Sequence, residues 1–595
     1  MTFNYKQKNM CCGFCFFNNL VERGKESESV NNNNILKTLI GFIVTAALLM
    51  GASCQKSVEE QGDAAEVSQE SPKRPNILLI IGDDIGIDTT SNMYPGMIDN
   101  LTRQYGPSGH NHPKYKDIAG RPASTPVLDT LAKGGIRFTH AWTQPFCSPT
   151  RTSLITGLFS AKTGVLDYLG ALSKKHHSFV NDLKHKGGYS TGAFGKWHIA
   201  GLGRYTGMMP LEAGFDVYKG NLSGGVMTYY NYDYHIQDST TPPDKFRTEK
   251  PPTVSLPGIA PTTFAPVVKT YNTINWITEQ EKNNPDKPWF AYLAFNLSHI
   301  TGQQQPNPMV IPNADTIDAK SKKEMDECIG DGQYGSANVG NCSSEALMRA
   351  MTNTMDTMIG RVLETVDRLD PNTYVIYLGD NGTWMFGEKR EFIDNLYITR
   401  QGRSKGTAYE SGVRVSMAVR GPGIKAGSES NEWVHSTDLF STILELAGLE
   451  VPKMVPDKEG TGMVEVDAVS LTPVLFKGAK DLRDPDTGYL LTETINPVKG
   501  NLMEVGARNA KYKVICDNSA ETDSCIFYNL IDDPLEEYPL PKPSSNEEYK
   551  NGKWTPENQE WHFCYLQEII AKKSFLASPP KRNNRMFGPP PKRKN

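Results

Sequence analysis

Four apolar runs of strand length, each followed at once by polar residues, constrain this chain more than any other feature. The run at 76–81 leads into Gly82-Asp83-Asp84, and the run at 374–378 into Gly379-Asp380-Asn381. The run at 189–194 leads into Gly195-Lys196-Trp197-His198, and that at 289–295 into Asn296-Leu297-Ser298-His299. Continuous apolar runs suit parallel strands covered on both faces. In open α/β sheets, ligands bind beyond the carboxyl ends of the strands. The four runs therefore predict one sheet edge on which carboxylates, amides, a lysine and two histidines converge.

Helical patterns alternate with these runs. Residues 125–134 offer Thr125 as N-cap, Pro126 at the first helical position and Gly134 as the stop. Residues 344–369 carry Leu347, Met351, Met355, Met358, Val362 and Val366 at helical spacing, a core stripe rather than a cofactor box. Residues 436–448 form another amphipathic helix. Past residue 475 the pattern changes to strands joined by turns at 489–495, 504–515 and 526–531. The predicted fold class is α/β: a large domain with a mostly parallel central sheet flanked by helices, plus a smaller C-terminal α+β domain with an antiparallel sheet. A chain of 595 residues with 38% hydrophobic content has room for both. Its net charge of -4 is small for this size and gives no sign of a nucleic-acid binder overall.

The ends read differently. Lys37, an apolar run at 39–50 and Gly51-Ala52-Ser53-Cys54 form a signal-peptide pattern too short to span a bilayer comfortably. Gly-Ala-Ser-Cys resembles a bacterial lipoprotein cleavage box, which implies a lipidated Cys54 and a membrane as partner; ordinary secretory cleavage or a retained anchor are the alternatives. The expected organisation is a leader at 1–53, a flexible tether at 54–74, the catalytic domain at 75–475, the C-terminal subdomain at 476–578 and a basic tail at 579–595. The protein is expected to be exported, periplasmic or on the cell surface. Cys328 with Cys342, and Cys516 with Cys525, lie close enough to close short loops, as disulfides or as free thiols.

Asp83, Asp84, Asp380 and Asn381 are oxygen donors without a His or Cys cluster. Such a set favours Ca²⁺, and Mg²⁺ after it, over zinc. Lys196, His198, His299, Lys405 and Arg151 are the cationic and proton-carrying complement, which suits an anionic substrate group with several oxygens. In Cys147-Ser148-Pro149-Thr150-Arg151, Pro149 suits the first turn of a helix, which puts Cys147 at an anion-binding N-terminus. A plain thiolate nucleophile is the simplest reading. A soft thiolate beside a hard-metal site is a poor match, and an oxygen at that position fits better.

The Cys-x-Pro-x-Arg box, followed by Thr152-Ser153-Leu154-Ile155-Thr156-Gly157, resembles the signature of the formylglycine-dependent sulfatases of the alkaline phosphatase superfamily. The resemblance covers about residues 75–540. It implies that a formylglycine-generating or sulfatase-maturing enzyme oxidises Cys147 to formylglycine (3-oxoalanine) before folding. It implies that Asp83, Asp84, modified Cys147, Asp380 and Asn381 bind one Ca²⁺. Arg151 would stabilise the hydrated aldehyde, His198 orient it, and Lys196 bind sulfate. His299 and Lys405 would contact sulfate and the leaving group. One hydroxyl of the hydrate would attack sulfur, and the second would later expel sulfate. The implied substrate is a sulfated carbohydrate or aryl sulfate. A phosphonate or phosphate ester hydrolase and a non-catalytic glycan-binding relative are the rival readings. Two segments, 91–122 with His110 and His112, and 220–251, are expected on the rim of the site.

Overall fold

The run at 76–81 is the centre of a ten-stranded sheet, buried at every residue. The computed structural model describes residues 73–577 apart from 119–120, 303–307, 385–395, 399–402 and 498–500. The expectations for the leader, for a lipidated Cys54, for most of the tether and for the basic tail lie outside the described residues.

The strands of the main sheet are β1 (Asn76–Gly82), β2 (Ile136–Trp142), β3 (Ser190–Lys196), β4 (Val217–Asn221), β5 (Tyr234–Gln237), β6 (Arg247–Glu249), β7 (Trp289–Ala294), β8 (Thr373–Gly379), β9 (Arg414–Arg420) and β10 (Ser428–His435). Their order is β10-β2-β9-β8-β1-β7-β3-β4-β5-β6. From β8 to β4 every neighbour is parallel. Only β9 and β5 run against their neighbours. The register sets Gly82 level with Gly379, and Ala294 level with both Ile81 and Gly195. The polar residues that follow these strands therefore emerge on one edge.

Alternation along β1 feeds two cores. Leu78 and Ile80 join the helices Ala265–Asn283 and Ser344–Leu369 on one face. Ile77, Leu79 and Ile81 join the helices Cys147–Thr156, Phe179–His185 and Asp438–Leu446 on the other. The stripe from Leu347 to Val366 is buried, as core packing requires.

The helix at Pro126–Lys133 starts where expected, yet Thr125 does not cap it. Asp356, on the long helix, accepts from the N–H groups of Val127 and Leu128 at 3.0 and 2.8 Å. Burial lifts its carboxyl to about 7. The folded state thus holds this proton more tightly than the unfolded chain, so stability falls as pH rises from about 4 to 7. Asp356→Asn is expected to flatten that fall, as measured by denaturant titrations at about pH 5 and 8. An unchanged pH slope would contradict the assignment.

A second sheet follows: β11 (Leu490–Asn496), β12 (Leu502–Arg508), β13 (Tyr512–Asp517) and β14 (Cys525–Asn529), antiparallel throughout. The helix Gln559–Lys573 covers one face, with Phe563, Leu566 and Ile570 against Val505, Val514 and Phe527. Cys516 and Cys525 are paired residues of β13 and β14 and form a disulfide; Cys328 and Cys342 form another. Both sheets belong to one compact unit.

Candidate active site

Asp83 and Asp84 follow β1, and Asp380 and Asn381 follow β8, so two adjacent parallel strands deliver four oxygen-bearing side chains side by side. Asp84 turns the chain with φ of 60°, a left-handed conformation that lets both carboxylates leave the strand toward one point. Cys147 is the first residue of the helix Cys147–Thr156 and is buried. Ligand atoms of Asp83, Cys147 and Asp380 lie within 4.8 Å of one another.

Each carboxylate has a cationic partner. Lys196 Nζ donates to both oxygens of Asp83 at 2.8 and 2.7 Å. Arg151 donates through Nε and Nη2 to Asp380 Oδ2 at 3.1 and 2.8 Å, and through Nη1 to the Lys196 carbonyl and the Tyr292 hydroxyl. Lys405 bonds Asp84 and lies 3.6 Å from Cys147 Sγ. Three buried carboxylates thus face three cations. A divalent ion added here leaves positive charge to be balanced by a bound anion.

Burial pushes the Asp83 carboxyl up; Lys196, bonded to both its oxygens, opposes the rise, and Asp380 adds to it. Burial acts likewise on Asp84, but Lys405 overrides it and holds that carboxyl at about 2. Burial also raises the Cys147 thiol, despite Lys196 and Lys405. A protonated thiol is a weak nucleophile. His198 is held well below its ordinary value by burial and by Lys196, and His299 is pushed down to about 3 by burial and by Lys405. Both rings are neutral near pH 7.

The residues fit a hard divalent cation. Asn381 Oδ1 is buried without a partner while its Nδ2 donates to Asp84 at 2.8 Å. An orphaned amide oxygen beside three carboxylates is a ligand set in waiting. His198 is similar: Nε2 donates to the Tyr168 carbonyl at 2.9 Å, and the unprotonated Nδ1 has no partner.

Above this floor opens a cavity of roughly 470 Å³. Cys147, His198, His299 and Lys405 line it, with aromatic walls from Tyr168 and Trp384. Lys196 lies beneath, wholly buried. The segment 220–251 contributes Asn221, the loop 223–227, Tyr232, Asp233 and His235, as its expected rim position requires. The segment 91–122 contributes no described residue. It docks instead on the C-terminal turn: Gln104 donates to the Ile531 and Asp532 carbonyls at 2.8 Å, Tyr105 to Asp533, and His110 stacks on Tyr538 at 4.6 Å. That correction has a physical cause, since Leu101 and Tyr105 put an apolar helix face into the core.

Sequence reasoning also missed the supports. Tyr292 lies inside β7 and reads as core. The second sheet clamps the Lys405 loop: Asn496 Nδ2 donates to the Gly406 carbonyl at 2.6 Å, and the N–H of Ala408 to Glu504. Gln144, just before the cysteine box, accepts from the Glu493 N–H at 2.8 Å.

A hard-oxygen cluster beneath a cavity with a lysine at its base defines a hydrolase of anionic esters. The family model for sulfatases matches residues 75–449, and the chain belongs to the sulfatase family, whose members are sulfuric ester hydrolases. The sequence is 25% identical to arylsulfatase G of Rattus norvegicus over 550 residues, covering 85% of this chain and 90% of the relative. Among solved structures, that of Ps i-CgsB in complex with k-i-k-neocarrahexaose aligns with TM-score 0.54 and 19% identity, over 87% of this chain and 100% of that one. The structure of BT4656 with its substrate D-glucosamine-2-N,6-O-disulfate aligns with TM-score 0.55 and 19% identity, over 86% and 100%. At such identities the structural likeness is one of fold.

Proposed function

We propose that this sulfatase cleaves sulfate esters of carbohydrates with an aldehyde made from Cys147 by a maturing enzyme and with one divalent cation, Ca²⁺ in preference to Mg²⁺. The observation that carries the reading is the convergence of Asp83, Asp380 and Cys147 within 4.8 Å beneath an open cavity. The carbohydrate is supported by the sulfated and saccharide ligands named for the two similar structures. Export, with lipid on Cys54, belongs to the same proposal and is supported by two disulfides, which persist in oxidising compartments.

When present, the cation offsets charge on the sulfuryl oxygens and the hydrated aldehyde supplies an oxygen nucleophile. The rest is the work of the chain's own residues. Asp83, Asp84, Asp380 and Asn381, with modified Cys147, would hold the cation. Arg151, fixed by Asp380, Tyr292 and the Lys196 carbonyl, steadies the residue at 147. His198 presents an unprotonated Nδ1 to accept a proton there. Lys196 and Lys405 attract the sulfate. Lys405, or His299 once the negative charge of bound sulfate has drawn a proton onto its ring, protonates the departing oxygen; both line the cavity.

Protein co-expressed with a maturing enzyme is expected to hydrolyse 4-nitrophenyl sulfate, to lose this activity on chelation and to regain it with Ca²⁺. Faster hydrolysis of 4-nitrophenyl phosphate would sink the sulfatase reading. An unmodified cysteine in the intact mass of fully active protein would remove the aldehyde. His299→Ala is expected to slow sugar sulfates on the order of 10²-fold and 4-nitrophenyl sulfate far less, because nitrophenolate leaves without a proton. Equal losses on both would clear His299 of that role.

A further inference from the structure

The cavity has a second wall that the chemistry at sulfur does not use. Asn221 ends β4, three strands from β1, so it stands roughly 14 Å along the sheet edge from the carboxylates at the usual strand spacing. His235 lies on β5 opposite Gly220. Asn221, Tyr232, Asp233 and His235 all line the cavity.

Their polar atoms are set for a ligand. Asn221 is 3% exposed, and its Oδ1 has no partner while Nδ2 donates to the Ser223 carbonyl. The buried Tyr232 hydroxyl also has no partner. The Leu222 N–H donates to His235 Nδ1 at 3.3 Å, which leaves the ring hydrogen on Nε2. Asp233 is exposed, and among the described residues its carboxylate makes no ion pair. Two exposed apolar side chains, Leu202 at 44% and Met227 at 63%, stand at the same cavity. Unpartnered acceptors and donors beside an apolar surface are the two faces that a sugar ring requires.

The wall is joined to the chemistry by the loop 223–227. A Cβ on Gly224 would come within 2.4 Å of the His198 ring, and one on Gly225 within 3.6 Å of His299. The loop therefore abuts both histidines at one end and carries the wall at the other.

Resting on the sulfatase reading, we propose that Asn221, Tyr232, Asp233 and His235 recognise a neutral, hydroxyl-bearing sugar on the leaving-group side of the sulfate. The Asp233 carboxylate accepts from a sugar hydroxyl and His235 Nε2–H donates to its neighbour. Leu202 and Met227 cover the ring's C–H face. A second sulfate or a uronate at this position is repelled by Asp233, so the wall selects a neutral unit there.

The test compares sulfate release from oligosaccharides of carrageenan, fucoidan, chondroitin sulfate and heparan sulfate with turnover of 4-nitrophenyl sulfate. Asp233→Ala is expected to lower the ratio of saccharide to aryl kcat/KM about 10- to 100-fold, the value of a hydrogen bond to a charged group. Asp233 is exposed, so this variant folds even where His235→Gln, set between the Tyr205 and Phe246 rings, does not. Asp233→Lys is expected to move preference toward heparan oligosaccharides. An unchanged ratio in Asp233→Ala would overturn the inference. So would wild-type protein that hydrolyses the aryl sulfate yet releases sulfate from none of the four, and that result leaves the sulfatase reading intact. Failure on the aryl sulfate as well would strike the underlying reading and this one with it.

Discussion

Replacing Cys147 with Ala is expected to abolish sulfate ester hydrolysis, a loss on the order of 10⁵–10⁶-fold, as when a covalent nucleophile is removed. Stability should scarcely move. The thiol is small and buried, its recorded side-chain bond is to Lys405 at 3.6 Å, and Lys405 keeps Asp84 when the sulfur is gone. Such a truncation costs about 1 kcal/mol. Aryl sulfate turnover and a thermal melt on the same preparation separate the two quantities. Full activity in Cys147→Ala would overturn the mechanism at its root.

Arg151→Ala is expected to fail in a different way. Read from the sequence alone, Arg151→Ala is expected to abolish turnover while largely sparing the fold. The structure corrects this. The guanidinium is 1% exposed and bonded to Asp380, Tyr292 and the Lys196 carbonyl. Its removal strands a buried carboxylate, at a cost of about 3–5 kcal/mol. Arg151→Ala should therefore lose activity and lower the unfolding midpoint together. Arg151→Lys keeps the charge without the planar fork and should recover part of the stability but little of the activity. A melt of Arg151→Ala equal to wild type would show that Asp380 finds another partner.

The strand ends were legible because the signal is local. An apolar run and the polar residues after it are adjacent in sequence, and parallel pairing then sets Gly82 beside Gly379 without further information. The cysteine box was legible for the same reason, with Pro149 and Arg151 within one helical turn of Cys147. What escaped is long-range. Asp356 caps a helix that begins at residue 126, and Thr125 looked like the cap because only near neighbours show in a sequence. The segment 91–122 reads as an insertion near the site, whereas its partners are Ile531 to Tyr538. Tyr292 carries no mark that separates it from its apolar neighbours in β7. The Lys405 loop gives no hint that Asn496 and Glu504 hold it.

The bond between Gln144 and the Glu493 N–H spans 349 residues, and Arg151 reaches Asp380 across 229. The wall that closes over Cys147 is therefore made late in synthesis. At a ribosomal rate of about 5–20 residues per second, the interval between emergence of the box and arrival of its last partners is on the order of tens of seconds. During that interval Cys147 lacks the partners that later bury it, and the proposed maturing enzyme would have to act then. Afterwards it is 1% exposed. Under the proposed maturation the topology would work as a timer, with sequence distance setting how long the residue stays available and folding ending the opportunity.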